Sequence, residues 1–160
     1  MRWFYKIIAG FLAALIVVAA VFYFSKNSGQ DSQELVVTDS SSGRVLGRWP
    51  LEEPGEFAIE FIHSVNQSQV REFFRIKDGQ IHLFAVRFSS FGAGMQSDLG
   101  EGHIMSRDGD AMIISGLDVS FEQLNYIVGT VSDHFLIIGG EYISLRELFG
   151  RNAQISIHFR

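Results

Sequence analysis

No cysteine occurs among the 160 residues, which excludes disulfides, a thiolate nucleophile, Cys-ligated zinc and a cysteine-linked lipid anchor. The absence is compatible with an oxidising compartment without requiring one. Proline is scarce as well, with two against sixteen glycines, a balance suited to many turns between short strands. Acidic residues are missing from the first stretch. All eighteen follow Lys26, whereas Arg2, Lys6 and Lys26 are three of the thirteen basic residues. The remainder carries ten basic and eighteen acidic groups, a net of −8. Such a surface repels phosphate backbones, so nucleic acid is not an expected partner. There is no Gly-x-Ser-x-Gly nucleophile elbow. His63 and Ser64 are adjacent, but in a strand they point to opposite faces and cannot act as a base–nucleophile pair. No enzyme is expected.

What the chain does have is one long apolar run. Ile7 to Phe24 holds eighteen residues without a charge, which as a helix covers roughly 27 Å, close to the ~30 Å hydrocarbon core. Trp3, Tyr5 and Tyr23 flank it at the headgroup level, and Arg2 and Lys6 precede it. The positive-inside bias keeps the N-terminus cytoplasmic and sends the remainder outward. The rival reading is a cleaved signal peptide, but the bulky Val21-Phe22-Tyr23-Phe24 does not suit a cleavage site. The expected organisation is an uncleaved membrane anchor over 1–25, a polar tether over 26–33, and an extracytoplasmic (periplasmic) β-domain over 34–160.

From Glu34 onward the apolar period is near two. Leu35–Val37 and Val45–Trp49 flank a serine-glycine turn, and Phe57, Ile59, Phe61 and His63 alternate with Ala58, Glu60, Ile62 and Ser64. Val70–Ile76 and Ile81–Phe88 are joined by Lys77-Asp78-Gly79-Gln80, the strongest short-range hairpin signal in the chain. Weaker strands are expected over 111–115, 117–121, 126–128, 135–138 and 155–159. Ser144–Gly150 has helical spacing ending at a glycine. Eight to ten short strands predict an all-β fold, a β-sandwich or partly open barrel.

The Asp78-Gly79 turn sets a register in which Ile76 faces Ile81, Phe74 faces Leu83, Glu72 faces Ala85 and Val70 faces Arg87. With a symmetric 64–69 loop, His63 faces Val70. One oily face then carries three polar residues at one end: His63, Glu72 and Arg87. Buried charges survive when paired. The group reads either as an internal salt bridge or as a half-buried site where Arg87 holds an anion bidentately. The strand runs on into Ser89-Ser90-Phe91-Gly92-Ala93-Gly94, whose glycines permit the positive φ of an amide-lined nest. Asp98, Glu101, His103, Asp108 and Asp110 match no established metal-loop spacing, and neither metal nor cofactor is expected. Phe73 and Phe84 are expected to share the sheet's second face, one too apolar for full exposure.

Three strings together carry a resemblance: Phe-x-Ile-x-Phe-Ile-His-Ser-Val over 57–65, Val-x-Glu over 70–72, and Phe-Ser-Ser-Phe-Gly-Ala-Gly over 88–94. The chain resembles the bacterial domain-of-unknown-function family eighteen-fifty, small exported proteins often encoded beside TAXI-type TRAP transporters. The motif falls on His63, Ser64, Val65, Val70, Glu72, Phe91, Gly92, Ala93 and Gly94, and the family's C-terminal stretch on His134 to Gly139. Gln69 stands where the family usually has proline, and Met95-Gln96 where it has Leu-Pro. The resemblance implies a non-enzymatic accessory protein that contacts the TRAP membrane subunit or its binding protein. A small-ligand or anion-sensing module is the alternative. The ligand- or partner-binding residues expected from register and resemblance together are His63, Ser64, Glu72, Arg87, Phe91, Gly92, Gly94 and His134.

Overall fold

A computed structural model describes residues 33–64, 67–89 and 102–160. The expected anchor, most of the tether, and Phe91, Gly92 and Gly94 lie outside the described residues. Residues Gln33–Arg160 form one compact unit.

Eleven strands are described, one more than the upper expectation: β1 (Glu34–Asp39), β2 (Val45–Pro50), β3 (Glu56–Ile62), β4 (Gln69–Lys77), β5 (Gln80–Phe88), β6 (Ile104–Asp108), β7 (Ala111–Phe121), β8 (Gln123–Ile127), β9 (His134–Ile138), β10 (Glu141–Ser144) and β11 (Gln154–Phe159). One short helix, α1 (Leu145–Phe149), sits between β10 and β11. The Ser144 hydroxyl caps it by accepting from the Glu147 N–H, and Gly150 ends it at φ 89°. The two expected strands over 111–121 are a single irregular β7. Strands β6 and β10 escaped the sequence pattern because both are short edge strands with little alternation.

The strands form two antiparallel sheets, ordered β2-β1-β11-β8 and β10-β9-β3-β4-β5-β7-β6. They pack face to face, sandwich-like, and do not close into a barrel. Leu35 and Val37 of β1, Ile155 and Ile157 of β11 and Leu124 of β8 meet Phe57 and Ile59 of β3, Phe74 of β4, Ile81 of β5 and Leu136 of β9. Burying a side chain of this size contributes about 1.5–3 kcal/mol relative to exposure, so this shared layer dominates the fold.

The β4–β5 hairpin turns on Asp78 and Gly79, both at positive φ (52° and 75°), as a two-residue type I′ connection requires. Its register begins as expected, with Ile76 opposite Ile81 and Phe74 opposite Leu83. Phe84 is then an extra residue: Phe73 pairs with Ala85, Glu72 with Val86 and Arg71 with Arg87. This β-bulge reverses the alternation of the rest of β5. Strand β7 breaks register at the same place, between its pairings with Leu83 and Ala85.

Candidate functional site

The bulge corrects the expected polar cluster. Arg87 lies opposite Arg71 and Ile113, on the outward face of the seven-stranded sheet, while Glu72 lies opposite Ile59 and Val86 on the inward face. The Arg87 side chain is 27% exposed, and its Nε donates to Asp108 Oδ2 at 3.1 Å. It therefore cannot join His63 and Glu72 around an anion. Phe84, the extra residue, shares the outward face with Phe73, their ring centroids 6.2 Å apart, and the Arg75 guanidinium lies 3.9 Å from the Phe84 centroid.

Glu72 does point inward, and its partner comes from the other sheet. The Tyr126 hydroxyl of β8 donates to Glu72 Oε2 at 2.6 Å. Burial raises the Glu72 carboxyl above its ordinary value, and the Tyr126 hydrogen bond partly offsets this. Burial and the neighbouring carboxylate raise the Tyr126 phenol, which stays protonated and keeps donating. The Tyr126 ring also lies 5.9 Å from the His134 ring. An inward polar group at this end of the sandwich thus exists, but its members are Glu72, Tyr126 and His134.

His134 opens β9 directly opposite Phe61 of β3, and the two rings stack with centroids 5.2 Å apart. The Gly129 N–H donates to His134 Nδ1 at 3.2 Å. That ring nitrogen is therefore unprotonated, and the neutral imidazole carries its hydrogen on Nε2. Burial lowers the His134 pKa below the ordinary histidine value, against a smaller opposing pull from the Asp133 carboxylate. The imidazole is a neutral donor near pH 7. Gly129 itself is constrained, since a Cβ there would sit 2.5 Å from the Ser132 carbonyl oxygen.

Asp133 holds this loop in place. Its Oδ1 accepts from the His134 N–H at 2.7 Å and the Arg146 N–H at 3.1 Å, and its Oδ2 accepts from the Ser144 hydroxyl. The Arg146 guanidinium donates in turn to the Val131 carbonyl at 3.2 Å. One carboxylate thus ties the β8–β9 loop to the start of α1.

His63 and Ser64 follow the end of β3. The His63 N–H donates to the Ser68 carbonyl at 2.8 Å, its carbonyl accepts from the Gln67 N–H at 2.9 Å, and Gln67 Nε2 donates to the Ser64 carbonyl at 2.6 Å. His63, Ser64 and Gln67 on one side and the β8–β9 loop on the other line an open groove of about 450 Å³. Its walls bring together three of the expected residues: His63, Ser64 and His134. Glu72 sits outside it, behind Tyr126, in a separate hollow of about 350 Å³. Ile62 (37% exposed), Ile127 (63%) and Val131 (91%) edge the groove and stand open to solvent. Among the described residues, none lining it is Asp, Glu, Lys or Arg. Among the described residues, no three His, Asp or Glu side chains are placed to hold a metal ion.

Sequence reasoning missed Tyr126, Gly129, Val131 and Asp133. The string Gly129-Thr130-Val131-Ser132-Asp133-His134 does carry a signal. An aliphatic residue between two hydroxyl residues in a turn has no core to serve. No curated protein and no solved structure matches the chain. A family model does, across residues 57–145, from the core of β3 to the first residue of α1 and so over more than half of the sequence: the chain belongs to the family Domain of unknown function (DUF1850).

Proposed function

We propose that this protein is a membrane-anchored extracytoplasmic accessory subunit of a TAXI-type TRAP transporter, acting by protein contact and without catalysis. The observation that carries the contact reading is the rim of Ile62, Ile127 and Val131. Three aliphatic side chains stand open to solvent around one groove at one end of a well-packed sandwich. Exposed apolar surface edged by polar groups is the mark of an interaction site. The transporter assignment rests on the family resemblance, and the anchoring on the charge-free run from Ile7 to Phe24. Tethering raises the local concentration at the membrane, so a contact surface this small suffices for function.

The test is site-specific photocrosslinking of the full-length protein in its own membrane, with the probe at Val131 and a control probe at Arg44 on the exposed β1–β2 turn. A crosslink from Val131, and not from Arg44, to the permease or its binding protein is the expected result. Labelling of neither partner from Val131 would remove the reading.

A second reading, a small-ligand module, draws on the fixed Nε2–H donor of His134 in a groove whose volume falls within the range of ligand pockets. A thermal-shift series with dicarboxylates and divalent metals separates the two. Stabilisation that a His134 variant loses would favour the ligand.

A further inference from the structure

We propose that the free edge of β8 is a strand-addition site, which takes one extended segment of a partner protein, paired antiparallel, with a lysine or arginine side chain turned in toward Glu72. This goes beyond the contact reading above, and the two surfaces share only Ile127.

The argument begins with the hydrogen-bond ladder. Glu34 and Arg160 exchange both of their backbone hydrogen bonds, and the Ser40 N–H donates to the Gln154 carbonyl. Even-numbered residues of β11 therefore turn their main-chain groups toward β1. Odd-numbered ones turn toward β8, in keeping with the Val128 N–H on the Ala153 carbonyl. Leu124 and Tyr126, opposite Ile157 and Ile155, direct their main-chain groups at β11. Those of Gln123, Asn125 and Ile127 point the other way, off the sheet, because β8 is its last strand. All three residues are exposed.

Proteins protect such edges with charges, proline or irregular backbone. The other edge strands have these devices. Strand β2 carries Arg48 and Pro50, β6 carries Arg107 and Asp108, and β10 carries Glu141. Strand β8, Gln-Leu-Asn-Tyr-Ile, has no charge, no proline and an unbroken register with β11. It is open to pairing.

The surroundings decide what pairs. The seven-stranded sheet runs on past β8, which packs over β5 and leaves β7 and β6 beyond it. Of those two strands only Phe121 joins the shared core among the described residues. Two copies paired antiparallel at β8 would place both seven-stranded sheets on the same side and in the same space. The edge thus admits a single strand and not a second domain. Beside it lies the hollow of about 350 Å³, to which Glu72, Phe74, Leu83 and Phe121 contribute from the larger sheet. Alternate side chains of an added strand would enter that hollow.

Charge then sets one of those side chains. Glu72 lines the hollow, and no Lys, Arg or His does among the described residues. Its Oε2 accepts from the neutral Tyr126 hydroxyl, and it forms no salt bridge with a described residue. A carboxylate partly withdrawn from water is stabilised by an opposite charge beside it. The net of −8 beyond Lys26 also draws a basic segment toward the domain.

The experiment uses the full-length protein in detergent micelles and immobilised synthetic peptides. The first peptide alternates threonine and valine, with lysine in place of the central valine. A second carries glutamate instead of lysine. Two more keep the lysine and are N-methylated, one at its threonines and the other at its valines. Antiparallel pairing with lysine inward directs the threonine N–H groups at β8 and the valine N–H groups away. The lysine peptide should be retained and the glutamate peptide should bind roughly tenfold or more weakly. Methylation at threonine should abolish retention, and methylation at valine should leave most of it. Glu72→Gln, which keeps an acceptor for Tyr126, should erase the preference for lysine over glutamate. Failure to retain the lysine peptide, equal binding of the two methylated peptides, or a lysine preference that survives Glu72→Gln would overturn the proposal. A dimer of the protein alone that the lysine peptide disperses would give the edge to a second copy and overturn it too. Val131→Asp lies outside this edge and should not change retention. If Val131 crosslinks to the transporter while the two methylated peptides bind alike, the contact reading stands and strand addition falls.

Discussion

Replacing Tyr126 with phenylalanine removes one oxygen atom and tests how the two sheets are held together at their polar end. The ring stays, so apolar burial changes little. What is lost is the hydrogen bond from the phenol to Glu72 Oε2 at 2.6 Å. A hydrogen bond to a charged group contributes about 1.5–3 kcal/mol, and stranding a buried carboxylate costs in the same range. For a domain of this size the loss corresponds to roughly 5–15 °C in melting temperature. The pH dependence sharpens the test. Burial raises the Glu72 pKa above its unfolded value, so the folded state binds the proton more tightly, and this group favours folding at acid pH. That contribution fades as pH rises from the unfolded pKa through the folded one. Without the Tyr126 donor the folded pKa climbs further, because that bond lowers it. The penalty of the variant should therefore be largest at alkaline pH and shrink on acidification, as the carboxyl takes up its proton. Glu72→Gln should lie close to wild type and should largely abolish the pH dependence of the Tyr126→Phe penalty. Urea denaturation followed by Trp49 fluorescence, in a Trp3→Phe background, measures all four members of the cycle. A Tyr126→Phe penalty below about 0.5 kcal/mol at pH 8, or one that grows on acidification, would refute the reasoning.

Four further outcomes follow from the geometry. Gly129→Ala drives a methyl group against the Ser132 carbonyl and should cost about 1–3 kcal/mol in the same denaturation assay. Asp133→Ala strands three donors from Ser144, His134 and Arg146; it should destabilise by about 2 kcal/mol or more, with Asp133→Asn recovering part of the loss. Arg87→Ala breaks a surface pair with the exposed Asp108 and should shift stability by less than about 1 kcal/mol. His134 should titrate below the ordinary histidine value in nitrogen-resolved NMR spectra, with its hydrogen on Nε2 at neutral pH. Because its folded pKa is lowered, the stabilisation from this group is present above the unfolded pKa and is lost as pH falls through the folded one. That sign is opposite to that of Glu72.

Much of the sheet was legible because alternation and turn chemistry are local. The Asp78-Gly79 turn placed Ile76 against Ile81 and Phe74 against Leu83. The parity of β3 and β4 put Glu72 on the inward face. Their register, however, is two residues from the expected one, because the 64–69 connection does not close symmetrically: Val70 pairs with Phe61 and not His63, and Glu72 with Ile59. Legibility ended at Phe84. An aromatic residue inside an apolar run reads the same whether it keeps the ladder or bulges from it, and the bulge is what sends Arg87 outward. Tyr126 was not legible for a different reason. Its bond to Glu72 joins residues 54 positions apart on different sheets, and no strand pairing dictates which side chains meet across a packed layer. His134 came through the resemblance over His134 to Gly139, whereas the role of Asp133 depends on where α1 begins. That position is set by the Ser144 cap.

The extra residue at Phe84 gives β5 two reading frames, one on either side of it. Deleting it would bring the strand back into a single phase and exchange the inside and outside of everything from Ala85 to Phe88, pressing a guanidinium into hydrocarbon and turning Val86 and Phe88 to water. Variation in length is therefore tolerable in the connections at either end of this hairpin but not within it, and a shortened β5 would be rejected before any question of function arose.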